Sequence, residues 1–325
     1  MPISESARHQ PTTRADAETA QRFFDGIVNR TPLVRFGFDV DTDIRVKLEN
    51  LQPIGSFKIR GAASKMLRLP DDALQQGVWT ASAGNMAQGV AWCARHRGAN
   101  CTVVVPESAP DAKVLAVERL GAVVRRVSRE TFFDTFARRE LAGVEGIFIH
   151  AFSDPDVMAG NGTIGLEILE DLPDVRVIFV PFGGGGLSCG IAGVVRSMAP
   201  GVRIIACEPE TAAPLAASFR AGAATAVDFR PSFVDGAGAP RVYPEMLDLA
   251  SQVVDEAIAV PLADVAAAVR LLAERCHVIA EGAGALALAA ALLYPRKGPV
   301  ACVVSGGNIE SEWLRTILAG GTPSV

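Results

Sequence analysis

The sequence predicts an α/β fold with mostly parallel sheets and flanking helices. Short apolar strands alternate with amphipathic helical stretches through most of the chain. The strands fall into two sets. The first has strands near 78–82, 101–106, 122–127 and 146–151, with helices at about 85–97, 111–120 and 131–142. The second has strands near 175–182, 202–207, 253–260 and 299–304, with helices between them. Glycine- or serine-bearing turns follow several of these strands directly, and in α/β folds such strand ends carry sites. No composition shift, Pro/Ser-rich linker or internal repeat separates the sets. Residues before about 17 are expected to be loosely docked.

The lysine segment comes first. From Lys47 the chain reads Lys47-Leu48-Glu49-Asn50-Leu51-Gln52-Pro53-Ile54-Gly55-Ser56-Phe57-Lys58-Ile59-Arg60-Gly61-Ala62, which sets Lys58 beside the ring of Phe57 and two residues from the cation of Arg60. An amine attacks a carbonyl once its pKa is lowered, and desolvation beside another cation lowers it. A solvated surface lysine is the alternative that this segment alone leaves open.

Ser82-Ala83-Gly84-Asn85-Met86 lies between the strand Val78 to Ala81 and a helix with apolar positions Ala87, Val90, Ala91 and Ala94. Asn85 offers a donor at the start of that helix, and the flanking backbone N–H groups could hold a carboxylate. Taken alone, the stretch also reads as an N-cap and tight turn.

Further on, the apolar run from Val177 enters Gly183-Gly184-Gly185-Gly186, and a helical pattern from Leu187 to Met198 follows. Glycines let the backbone approach an anion, and the helix N-terminus supplies free N–H groups, so the junction reads as a phosphate cradle. A dinucleotide site, with Glu208 as its acidic ribose contact, is the competing reading. It fails on spacing, since Ser188 or Cys189 falls where the third glycine of G-x-G-x-x-G belongs, and no P-loop lysine follows. A last strand, Ala301 to Val304, ends in Ser305-Gly306-Gly307-Asn308.

Composition bounds the function. The chain has 325 residues, 49% hydrophobic, with a formal net charge of -5, which suffices for one large or two ordinary domains. Mild acidity, with arginine pairs only at 125–126 and 138–139, argues against a nucleic-acid partner. The longest apolar run, Gly282 to Leu293, falls short of the ~18 residues of a membrane span, and the polar N-terminus shows no secretory or transit signal. Six scattered cysteines, without C-x-x-C spacing, read as reduced thiols of a cytoplasmic protein. The four histidines form no ligand cluster in the sequence, so structural roles are expected.

Lysine segment, glycine cradle, Ser82–Gly89 loop and strand-end serine together resemble the pyridoxal-phosphate enzymes of the serine/threonine dehydratase family, which also includes serine racemases. The resemblance runs from Thr31-Pro32-Leu33 through Glu281-Gly282-Ala283-Gly284 to Asn308, nearly the whole chain. Ser56-Phe57-Lys58-Ile59-Arg60-Gly61 looks like the dehydratase form of the lysine segment rather than that of cysteine synthases.

The resemblance implies the fold-type II architecture of tryptophan synthase β: two open, mostly parallel twisted sheets, with pyridoxal 5'-phosphate between them. Residues 1–68 and 156–325 would form a large cofactor-binding domain and 69–155 a small mobile one, with no C-terminal regulatory domain. Lys58 would be the Schiff-base lysine and the base for the substrate Cα proton. Phe57 would pack on the pyridine ring, and Asn85 would bond its phenolic oxygen. Gly183, Gly184, Gly185, Gly186 and Leu187 would bind the phosphate, and Ser305 would meet the ring nitrogen. Ser82, Ala83, Gly84, Asn85 and Met86 would surround the substrate. The implied activity is that of a carbon–oxygen lyase, converting a β-hydroxy-α-amino acid to a 2-oxo acid and ammonia. The implied partner is a small amino acid, with room left for a homodimer. A hydroxyl such as that of Ser305 does not keep a pyridine nitrogen protonated, which favours β-elimination over other chemistry at Cα.

Three departures sharpen this reading. Serine racemases carry a second serine where Ala83 stands, and alanine moves no proton, so little racemisation is expected. Many members bind a divalent cation with residues that match Glu208, the Ala212 carbonyl and position 214; Pro214 supplies no side-chain oxygen, so no metal is expected. Met86 replaces a histidine common in the dehydratases, and an adaptable thioether favours a larger, less polar β-substituent, with 3-phenylserine foremost. Threonine or serine dehydration is the alternative, followed by serine racemisation and 3-hydroxyaspartate dehydration. From other classes, a nicotinamide oxidoreductase is opposed by the glycine spacing and a non-catalytic ligand-binding relative by the retention of Lys58.

Overall fold

Central strands buried on both faces build the molecule. The computed structural model describes residues 10–24, 26–37 and 43–324. The first elements are α1 (Arg14–Gln21), β1 (Leu33–Arg35), β2 (Ile44–Leu48), α2 (Lys58–Met66), α3 (Asp71–Leu74), β3 (Val78–Ala81) and α4 (Asn85–Arg97). Then come β4 (Cys101–Pro106), α5 (Asp111–Glu118), β5 (Val123–Val127), α6 (Arg129–Arg138), β6 (Ile147–Phe148) and α7 (Pro155–Asp171). They are followed by β7 (Val177–Pro181), α8 (Gly186–Met198), β8 (Arg203–Pro209), α9 (Pro214–Ala221), α10 (Pro244–Val253) and β9 (Glu256–Val260). The chain continues through α11 (Leu262–Leu271), α12 (Gly282–Leu293), β10 (Val300–Val304) and α13 (Ser311–Leu318).

Two twisted α/β sheets result, as expected. One has the order β1-β2-β10-β7-β8-β9 and the other β5-β4-β3-β6. All pairings are parallel except β1 with β2. The strand period of two divides the larger sheet's side chains cleanly between its faces. Val177 and Phe179, with Val300, Cys302 and Val304, meet α11 and α12. Ile178 and Val180, with Ala301 and Val303, meet α7, α8 and α10. Helix α12 is buried almost throughout, which suits its alanine- and leucine-only character beyond the first turn. No helix among the described residues is long and apolar enough to cross a membrane.

Beneath the start of α2 lies a buried set of charges. Arg60, Lys47 and Glu49 are fully buried and Glu167 nearly so. The Arg60 guanidinium donates to both Glu49 oxygens at 2.8 Å and to Glu167 Oε1 at 2.7 Å and Oε2 at 2.9 Å. Lys47 Nζ donates to Glu167 Oε2 and to the Thr31 carbonyl, both at 2.5 Å. Burial works to raise the Glu49 pKa, but the Arg60 guanidinium more than offsets it and holds the carboxyl below its ordinary value. The set ties β2, α2 and α7 together.

Several elements differ from the sequence expectation. The N-terminal segment is docked from Thr12 onward: a Thr13/Asp16 capping box starts α1, and Thr12, Ala17 and Ala20 are buried. The part of that expectation covering residues 1–9 lies outside the described residues. The strand expected at 146–151 is confined to Ile147–Phe148; Ile149 N still donates to the Trp79 carbonyl at 2.8 Å, and beyond it the backbone N–H groups of Phe152 and Ser153 turn to His150 Nδ1, at 3.2 and 2.9 Å. The helix expected at 131–142 ends at Arg138, where Arg139 takes a left-handed φ of 58°. The strand expected from 253 begins at Glu256, since Val253 still belongs to α10. The antiparallel edge β1 and its neighbour β2 had no strand assignment; Lys47 breaks the apolar pattern of β2 with a charge that the structure buries.

Removing Glu167 leaves the buried Lys47 amine without a carboxylate and Arg60 with that of Glu49 alone. We expect Glu167→Ala to cost about 3–5 kcal/mol of folding free energy in denaturant titration. Glu18→Ala, which breaks the exposed Arg14–Glu18 pair, should cost no more than about 1 kcal/mol.

Candidate active site

The ends of three parallel strands converge on Lys58. The residues after β10, β7 and β3 are Ser305, the glycine run and the Ser82 loop respectively, so the motifs separated in sequence meet where ligands enter α/β sheets. The lysine loop is stitched to β10. Phe57 N donates to the Ser305 carbonyl at 3.0 Å, Gly307 N to that of Gly55 at 2.9 Å, and Ser56 pairs with Gly306 in an isolated bridge. Ser305 is buried, and the buried Ser56 hydroxyl has no hydrogen-bond partner.

Lys58 is the first residue of α2, and its Nζ donates to the Ala151 carbonyl at 2.8 Å. The residue as a whole keeps partial solvent exposure, while its amine is enclosed by protein. Burial lowers the pKa to about 8, opposed by the Glu281 carboxylate. Arg60, expected to be the perturbing cation, does not act in that way. Two residues apart on a helix point to different sides, and Arg60 is held by Glu49 and Glu167. Phe57 is buried, with Lys58 Nζ 5.1 Å from its ring centroid.

The glycine run leads into α8, whose N-cap, Gly185, has a φ of 92° and offers no side-chain acceptor. The first N–H groups of a helix find no partner within it, which leaves those after Gly185 suited to an anion. Two of the glycines answer to packing as well. A Cβ on Gly184 would lie 2.2 Å from the Phe152 ring, and one on Gly186 would lie 2.7 Å from the Phe152 Cα. Phe152 thus packs on the cradle one residue after the carbonyl that receives the Lys58 amine. His150 holds this turn through the two N–H groups that it accepts. It was expected to be structural, and its position beside the site had no signal in the sequence.

In the loop after β3, Ser82 Oγ accepts the Gly84 N–H at 3.2 Å, and a Cβ on Gly84 would meet nothing within 4 Å. Ser82, Ala83, Gly84 and Asn85 are partly exposed, whereas Met86 is 1% exposed. The Met86 side chain belongs to the core cluster that includes Ile54, Ile59, Met66 and Val90. Asn85 reaches across to the larger sheet: its Nδ2 donates to Glu281 Oε1 at 2.8 Å, and its Oδ1 accepts from Asn308 Nδ2 at 2.7 Å. Burial, with Asp235 nearby, pushes the Glu281 carboxyl up to about 8. Glu281 and Asn308 lie within the sequence motifs, where nothing along the chain signals these contacts.

Glu208 caps a helix. Its carboxylate accepts the N–H groups of Leu215 and Ala216 at 3.0 and 2.8 Å, with Pro214 at the first helical position, where no N–H is needed. Burial pushes its pKa up to about 7. Among the described residues, no group of three or more His, Cys, Asp or Glu side chains is placed to hold a metal ion.

A family model described as "Pyridoxal-phosphate dependent enzyme" matches residues 25–306. The L-threonine ammonia-lyase of Thermotoga maritima is 40% identical over 317 residues, covering 95% of this chain and 79% of that protein. A catabolic L-threonine dehydratase of Staphylococcus aureus is 37% identical, covering 94% and 92%. Among solved structures, maize serine racemase superposes with a TM-score of 0.87 at 30% identity, covering 94% of this chain and 96% of that one. The processed threonine deaminase isoform 2 of Solanum lycopersicum gives a TM-score of 0.82 at 29% identity, covering 96% and 91%.

A lysine with this pKa reacts well below the usual lysine range. The rate at which Lys58 condenses with a small aldehyde, trapped by borohydride and located by peptide mapping, should rise with pH and reach half its plateau near 8 rather than 10.5.

Proposed function

The chain belongs to the pyridoxal-phosphate-dependent enzyme family, and from that premise we propose that it is a lyase removing water from a β-hydroxy-α-amino acid, with a 2-oxo acid and ammonia as products. The observation that carries this reading is the Lys58 amine, its pKa lowered to about 8, held at the Ala151 carbonyl one residue from the ring that packs on the glycine cradle.

The residues present fit pyridoxal phosphate. Lys58 offers an enclosed, readily deprotonated amine. The N-terminus of α8 offers unpaired backbone donors for the phosphate, through Gly183 to Leu187. The unpartnered Ser56 hydroxyl lies where the lysine loop meets the end of β10. When bound, the cofactor supplies the carbonyl that takes up an amino group and the conjugated ring that withdraws electrons from Cα. The Lys58 amine would also take the Cα proton, with the Ala151 carbonyl as a fixed acceptor for its N–H. Ser305 at the ring nitrogen, Phe57 beside the ring, and Ser82, Ala83, Gly84 and Asn85 around the substrate carboxylate complete the proposed site. The partly exposed loop from Ser82 to Asn85 supports that assignment, since a substrate must reach it.

Threonine or serine is the substrate that the named relatives support. The finer reading, a larger apolar β-substituent such as that of 3-phenylserine, rests on Met86, and the burial of Met86 within a core cluster gives it packing work of its own. Ala83 supports elimination over racemisation despite the likeness to maize serine racemase, because a methyl group offers no acid or base on the second face of Cα. We also propose that residues 69–155 form a small mobile domain, that the enzyme needs no metal, given Pro214 and a Glu208 committed to capping α9, and that it is a cytoplasmic protein, a reading its free, mostly buried cysteines support.

The test is release of 2-oxo acid and ammonia from threonine, serine, 3-phenylserine and 3-hydroxyaspartate. Wild type should act on at least one of them, and Lys58→Ala on none, with loss of the visible band of the lysine-linked cofactor. Full activity in Lys58→Ala would defeat the proposal. Comparing kcat/KM for phenylserine and threonine in wild type and Met86→His decides the finer reading, since discrimination is the ratio of those values. If Met86 selects for size, Met86→His lowers that ratio by roughly tenfold; an unchanged ratio assigns Met86 to packing alone.

A further inference from the structure

Glu281 reaches its place by unusual backbone. Helix α11 runs into a π turn over Leu272–Cys276, and His277 follows with a left-handed φ of 58°. Both conformations are disfavoured for ordinary residues and recur at functional segments. They turn the chain back toward the end of β10, where Asn50 Nδ2 donates to the Ile279 carbonyl at 2.9 Å and Glu281 N to that of Gly306 at 3.0 Å.

The carboxyl then lies in space that two glycines leave. A Cβ on Gly306 would stand 2.6 Å from Glu281 Oε1, and one on Gly236 would stand 3.2 Å from it. Glu281 occupies the N-cap position of α12 and is 5% exposed, yet its side chain makes no capping bond. It accepts from Asn85 instead.

That contact removes a choice from Asn85. Its amide oxygen faces the amino group of Asn308, which also donates to the Ile54 carbonyl at 2.9 Å, and its amino group faces the Glu281 carboxyl. Turning the amide over would set its amino group against that of Asn308, and its oxygen against Glu281 Oε1 wherever that oxygen carries no proton, so the network fixes its sense. One N–H of Asn85 is spent on Glu281, and the second remains as a donor to the site.

We propose that Glu281 is a positioning residue which, by holding the Asn85 amide in this sense, fixes an N–H as the donor that meets an acceptor oxygen on bound pyridoxal phosphate. The proposal rests on the functional reading above and adds to it the residue that orients Asn85. Asp235, Lys113, the Lys58 amine and the Asn308 backbone N–H also act on this carboxyl, and Asn85 bonds to it directly.

The experiment is titration of cofactor-free protein with pyridoxal phosphate, read by visible absorbance, for wild type and the variants Glu281→Ala, Glu281→Gln, Asn85→Ala, Asn308→Ala and the double variant Asn85→Ala/Glu281→Ala. Glu281→Ala should raise Kd by roughly tenfold, the size of one lost oriented hydrogen bond. Glu281→Gln, whose amide oxygen still accepts from Asn85, should stay within about threefold of wild type. Once Asn85 is alanine, removing Glu281 should raise Kd no further, because the cycle closes on their shared contact. Should Glu281→Ala fail to fold, Asn308→Ala frees the other end of the same amide and must also raise Kd.

An unchanged Kd in Glu281→Ala or, where that variant does not fold, in Asn308→Ala overturns the proposal. So does an equal rise from Glu281→Ala with and without Asn85, or a Glu281→Gln variant as weak as Glu281→Ala. Wild-type protein that takes up no pyridoxal phosphate overturns the functional reading together with this inference, whereas normal uptake by wild type and Glu281→Ala alike overturns the inference alone.

Discussion

The guanidinium of Arg60, shared between two buried carboxylates, is the constraint on which the site depends. A buried ion network adds little net stability, because desolvation takes back most of the Coulombic gain. Its effect here is directional. Glu49 follows β2, Glu167 belongs to α7, and Arg60 sits on the first turn of α2, so any rotation of α2 about its axis breaks bonds to both acids at once. The side of α2 that carries Lys58 therefore keeps facing the Ala151 carbonyl. One short helix presents its charged anchor on one side and its reactive amine on another.

The site itself opposes folding. Lys58 is lowered to about 8 from 10.5, so the unfolded chain binds the proton more tightly; its contribution is fully present above 10.5 and is lost as pH falls through 8. Glu281 is raised to about 8 from 4.5, so its contribution is present below 4.5 and is lost as pH rises through 8. Near neutral pH both groups are held in surroundings that do not suit their ordinary charges. Such opposed perturbations mark functional clefts, and the buried sheets beneath must carry the difference.

Much of this was legible in the sequence, for physical reasons. Apolar strands alternating with helical stretches announce a parallel α/β sheet, and glycine or serine after a strand announces a turn at its end; hence the strand-end positions of Gly183 to Gly186, Ser82 and Ser305 could be read from the sequence, while Lys58, at the start of α2, was singled out by its neighbours. What escaped depends on contacts distant along the chain. Strand β2 carries Lys47 at a fully buried position because Glu167 waits for it 120 residues later. Arg60 reads as a neighbour of Lys58 when spacing is counted along the chain and as an anchor turned elsewhere when it is counted around the helix. Glu281 looks like an ordinary N-cap, and only the π turn before it aims the carboxyl at Asn85.

The ring of Phe152 fills the space in front of Gly184, which gives these two positions a common steric fate, whereas Gly186 faces the backbone of Phe152. Side-chain volume added at 184 can be accepted only if it is surrendered at 152. In a family of homologues these positions should covary rather than drift one by one. Directed evolution of the cradle therefore calls for libraries that vary 152 and 184 jointly, since single-site diversity at Gly184 meets an aromatic wall.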